Sequence, residues 1–119
     1  MISGIDLNAV VDFTLPEDTE NPTIWKLGIV PSYILSRLSS EGKPDDERVQ
    51  SAFKLLQLTI KGWENFNGIE YKTVKETWYG REVNVVPLDL IERIDLNTIN
   101  GLSKKIIEIN HLQSEERKN

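Results

Sequence analysis

The chain has 119 residues, 39% hydrophobic and 28% charged, with a formal net charge of -5; this suits one domain with one modest core. It contains no cysteine, which excludes disulfides, thiolate nucleophiles and cysteine-ligated metals. The acidic balance disfavours a nucleic-acid backbone as partner, and no apolar run approaches the roughly 20 residues of a membrane span.

The N-terminal stretch Met1-Ile2-Ser3-Gly4-Ile5-Asp6 has neither a basic head nor an apolar run, so a cytosolic protein is expected. Val10, Val11 and Phe13 predict a first strand over about Leu7 to Leu15. An acidic, proline-bounded loop follows, from Pro16 to Pro22. Trp25, Leu27 and Ile29 then alternate along a second strand, Thr23 to Val30, which marks one buried face. Pro31 suits the first position of a short helix, where its missing N–H is no loss. Tyr33, Ile34, Leu35 and Leu38 give that helix an apolar side, and Gly42 is expected to end it.

Asp45 to Lys61 carries the clearest helical pattern. Val49, Ala52, Phe53, Leu56 and Ile60 form one stripe, widened by Leu55 and Leu58. Asp45, Asp46 and Glu47 complement the helix N-terminus, and Lys54 and Lys61 its C-terminal half. Gly62 then stands where a left-handed C′ residue is expected, with Trp63 folding back on Leu58 as in a Schellman ending. Asn67-Gly68 marks a turn. Tyr71 to Trp78 and Glu82 to Val86 read as a hairpin around Tyr79-Gly80-Arg81. Val74 and Trp78 share a face of its first arm, and Val83 and Val85 a face of the second.

Pro87 opens a helical turn, Leu88 to Arg93. A last helix over about Leu96 to Leu112 has Asp95 as N-cap and Ile94 with Ile99 as a hydrophobic staple. Gly101 inside it costs about 1 kcal/mol relative to alanine. The expected architecture is a single α+β domain over 1–113, a mainly antiparallel sheet of about four strands packed by two main helices and two short ones. Residues 114–119 form a charged tail, expected to be mobile unless bound.

The groupings that carry chemistry are sparse. His111 is the sole histidine and reads as a surface group near a helix end. No serine lies in a Gly-x-Ser-x-Gly turn, and the seven glycines form no phosphate loop. Asp45-Asp46-Glu47 is helix N-terminal charge, and Glu17-Asp18-Thr19-Glu20 lacks the spacing of a calcium loop. The adjacent basic pairs Lys104-Lys105 and Arg117-Lys118 are offset by Glu108, Glu115 and Glu116. No enzyme activity, cofactor, metal, nucleic acid or membrane is therefore expected.

Three tryptophans are the remaining positive feature, because tryptophan is enriched at interface hot spots as well as in cores. Two candidate protein-binding edges follow. One is Trp63, Glu64, Asn65 and Phe66 at the expected helix exit. The other is the hairpin, with Trp78, Tyr79 and Arg81, since an end arm presents unpaired backbone groups. A protein partner is expected, and a homo-oligomer is compatible with the same edges.

Asn21-Pro22-Thr23-Ile24-Trp25-Lys26-Leu27-Gly28, Lys61-Gly62-Trp63-Glu64-Asn65-Phe66, Gly80-Arg81-Glu82-Val83 and the Ile-rich last helix with its charged tail resemble small proteins of tailed bacteriophages. Many of these are described as tail-assembly chaperones. The resemblance implies a protein of the host cytoplasm or the virion that binds a tail component such as the tape measure protein. Alternatives are a structural component of the tail or head–tail region, a phage regulator of a host factor, and an enzyme with an unrecognised site. It carries no functional residue over to this chain.

Overall fold

Alternating and helical apolar patterns condense into two separate sheets and a helical layer. The computed structural model describes residues 4–38 and 45–116, and only the backbone at 45–49 and 111–116. In chain order the elements are β1 (Val10–Phe13), β2 (Ile24–Gly28), α1 (Ser32–Leu38), α2 (Asp45–Thr59), β3 (Ile60–Glu64), β4 (Val74–Trp78), β5 (Arg81–Val85), α3 (Leu88–Ile91) and α4 (Leu96–Glu116). β1, β2 and β3 form an antiparallel sheet in that order, while β4 and β5 pair only with each other. The expected α+β class, with two main and two short helices, is what the structure shows. Among the described residues the strands differ in number and grouping, five in two sheets instead of about four in one.

The additional strand is β3, where the sequence pattern predicts the last two residues of α2, Ile60 and Lys61, and its cap at Gly62 and Trp63. The helix stops at Thr59, and the chain passes directly into extended backbone. Ile60 pairs with Leu27, Gly62 with Lys26 and Trp63 with Trp25. Gly62 therefore sits inside a strand and is absent from the positive-φ glycines, Gly68 and Gly80. The Schellman ending is corrected accordingly. Ile60 continues the helical stripe, yet it is β-branched and finds a buried partner across the sheet, so tertiary pairing outweighs local preference. One extra residue, Lys61, produces the register shift opposite Lys26 and Leu27.

The face of β2 predicted from alternation is buried, with Trp25, Leu27 and Ile29 all in the core. Leu56 of α2, Ile91 of α3, and Leu102 and Ile106 of α4 complete it. At the start of α4 the Asp95 carboxylate accepts the Thr98 backbone N–H at 3.2 Å and the Thr98 hydroxyl at 2.6 Å. These bonds, the hydroxyl first, hold its pKa below the usual carboxylate value. Ile94 and Ile99 on either side are buried, as the staple requires. Gly101 gives room to Leu15, whose side chain occupies the space a β-carbon would take. The helix backbone continues to Glu116, three residues into the expected tail. Gly42, the side chains of Val49 and His111, and residues 117–119 lie outside what is described. Among the described residues no helix is long and apolar enough to cross a membrane.

Candidate functional site

The Trp63 edge is built into the sheet. Trp63 lies edge-on to Trp25, with ring centroids 5.9 Å apart, and to Tyr71 at 5.0 Å. Phe66 closes the cluster at 5.1 Å from Trp25 and 5.3 Å from Trp63. Edge-to-face rings at these distances stabilise beyond the area they bury. Two of the cluster's three polar ring atoms are engaged, while the buried Trp25 Nε1 has no hydrogen-bond partner among the described residues. Trp63 Nε1 donates to the Ile69 carbonyl at 3.0 Å, and Tyr71 Oη donates to the Ile60 carbonyl at 2.8 Å. Desolvation pushes the Tyr71 phenol above its ordinary pKa.

Asn65 takes a positive φ of 61°, which asparagine tolerates better than most residues. Its amide donates to Asn21 and Pro22, and its carbonyl accepts the Thr23 hydroxyl at 2.8 Å. Glu64 pairs with Lys26 at 3.3 Å, and Asp12 of β1 meets the same ammonium at 3.3 Å. Those two carboxylates, Asp12 first, raise the pKa of Lys26. Nearby, a cavity of about 400 Å3 is lined by Trp25, Phe66, Asp18 and Asp95 among others. Asp18 accepts the Thr23 N–H and Asp95 caps α4, so both carboxylates already serve the fold.

The hairpin is assembled differently. Direct cross-strand pairs place Val74, Glu76 and Trp78 with Val85, Val83 and Arg81 on one face. Lys75 and Thr77 with Asn84 and Glu82 form the other, wholly exposed face. Only Trp78 and Val85 are buried. The base is fixed to α2, because Gln57 Nε2 donates to the Val86 carbonyl at 3.0 Å and the Val86 N–H donates to the Gln57 carbonyl at 2.8 Å. The tip is a two-residue turn with φ of 52° at Tyr79 and 80° at Gly80. Such a turn favours Asn-Gly, and a tyrosine there is strained by about 1 kcal/mol.

Cations hold that tip against the helices. The Arg37 guanidinium of α1 lies 5.1 Å from the Tyr79 ring. Lys54 of α2 lies 5.7 Å from the Trp78 ring and 5.8 Å from that of Tyr79. In return Arg81 stacks on Tyr33 of α1 at 4.6 Å. Each such contact is worth about 0.5–1 kcal/mol at an exposed site. The structure thus brings Trp78, Tyr79 and Arg81 together, and puts Trp63, Glu64, Asn65 and Phe66 in a separate cluster. The sequence reading missed Tyr33, Arg37 and Lys54 as members of the tip. The i, i+4 spacing of Tyr33 and Arg37 was the available signal.

Among the described residues no three His, Asp or Glu side chains group as metal ligands would. Comparison of the chain with protein-family models, curated proteins and solved structures finds no match in any of the three.

Proposed function

We propose that this is a non-catalytic binding protein that acts through protein–protein contact, in virion assembly of a tailed bacteriophage, with the β4–β5 hairpin as its contact element. The observation that carries the binding reading is the exposed ribbon itself. Four of the five β4 residues are exposed, and a two-stranded hairpin with so little cover is marginal without further packing. Its tip nevertheless holds a strained tyrosine among exposed cations, and strain of this kind tends to collect at functional positions. The phage setting rests on the resemblance of the motif series. A tail component such as the tape measure protein is the proposed partner.

Co-expression with the tail and head proteins of a tailed phage, followed by pull-down, tests this. Stoichiometric retention of a tail protein, lost on Arg81→Glu, is expected. If no virion protein is retained, the assembly role fails; if a host protein is retained in stoichiometric amount instead, the protein is a regulator of that factor.

A further inference from the structure

The face of α2 beside the hairpin has two features that meet at one residue. Gln50, Phe53, Lys54 and Gln57 lie at i, i+3, i+4 and i+7, so they share one side of the helix. With Leu88 and Glu92 from the α3 region they line a groove of about 540 Å3. Leu88 is 45% exposed there, a large apolar side chain left open to solvent. Lys54 belongs both to this groove and to the hairpin tip, where its ammonium lies near the Trp78 and Tyr79 rings.

Charge then selects the occupant. Ion pairs among the described residues engage Lys26, Lys75 and Lys105, while the exposed Lys54 and Arg81 have no carboxylate at that distance. The acidic groups near the tip are otherwise occupied: Glu76 accepts the Trp78 indole N–H at 2.8 Å and Glu82 pairs with Lys75. A chain of net charge -5 thus displays two cations outside any ion pair of the described residues, Lys54 in the groove wall, which also carries Glu92, and Arg81 at the hairpin tip. We propose that this face of α2 receives an acidic–apolar segment of a partner protein, with an apolar side chain between Phe53 and Leu88 and carboxylates over Lys54 and Arg81. The assignment rests on the protein-binding reading above and specifies the chemistry of its partner. A uniformly anionic nucleic-acid strand fits less well, because strand binding needs a continuous cationic track and Lys54 is the one cation among the described residues of the groove wall.

Selection of a random-peptide display library on the immobilised protein tests the proposal. Enriched sequences are expected to combine Asp or Glu with Leu, Ile or Phe. One of them, synthesised, should bind the Lys54→Glu/Arg81→Glu variant about tenfold more weakly or worse. Leu88→Glu, at an exposed position, should weaken the same peptide while circular dichroism stays unchanged. Enriched peptides that bind these folded variants as well as the parent overturn the assignment but leave the binding reading in place. A selection that yields no consensus, together with failure of the pull-down above, overturns both. Binding of oligothymidylate that the charge reversals abolish, or self-association that they abolish, reassigns the face to nucleic acid or to a second copy and overturns the proposal.

Discussion

The two sheets use aromatic residues in opposite ways. Around β3, Trp25, Trp63, Phe66 and Tyr71 pack edge to face, and the Trp63 indole and Tyr71 phenol donate to backbone carbonyls. At the hairpin tip Tyr79 and Tyr33 meet cations from other elements, with one face of the ribbon fully in solvent. The hydrogen bonds of Trp63 and Tyr71 leave those two groups little to offer a partner, and the unpaired Trp25 Nε1 is buried out of reach. Lys54 and Arg81, exposed over rings and engaged in no ion pair among the described residues, stay available to a carboxylate. Aromatic content therefore does not by itself mark an interface; the two regions differ in what covers the rings, other rings around Trp63 and exposed cations at the tip.

The closed region around Trp63 should carry the larger share of stability. Trp63→Ala removes three edge-on contacts and leaves the Ile69 carbonyl without its donor, so urea unfolding should show a loss of about 3 kcal/mol. Gly101→Ala improves helix propensity but forces Leu15 out of its place in the core. A net loss of about 1 kcal/mol is expected, and a more stable variant would show that Leu15 moves freely.

Asp95→Ala should cost about 1 kcal/mol at neutral pH through loss of the cap. Because the folded pKa of Asp95 lies below the ordinary carboxylate value of 3.8, its contribution is present above that value and disappears as pH falls through the lower one. The stability gap between parent and Asp95→Ala should thus close under acid, and a gap that persists well below pH 3.8 would mean the ionised carboxylate is not the stabilising form. The smallest effect belongs to the open region. Tyr79→Asn relieves strain in the turn and gives up cation contacts of similar size, so stability should change by less than about 1 kcal/mol. The same variant should weaken binding of the enriched peptide, which separates a contact role from a structural one.

Residues with a strong local pattern were legible in advance. Alternation placed Trp25, Leu27 and Ile29 on a buried face, and Asp95 with Ile94 and Ile99 announced the start of α4. The hairpin was recognisable, although its turn tightened to Tyr79-Gly80 with Arg81 in the strand. Of the tip, Trp78, Tyr79 and Arg81 came from the sequence; Tyr33, Arg37 and Lys54 did not, because they reach it from two helices distant in the chain.

By itself the sequence determined the α+β class, the main helices and the inward face of β2, all of which depend on spacing along the chain. Only the tertiary structure decided that Ile60 to Glu64 is a strand and that Trp63 is a packed sheet residue. Helical and extended readings of that stretch are both locally acceptable. What separates them is the presence of β2, with Trp25 and Leu27 placed to receive Trp63 and Ile60. The meeting of Lys54 with the hairpin was decided in the same way, by packing between elements that share no local pattern.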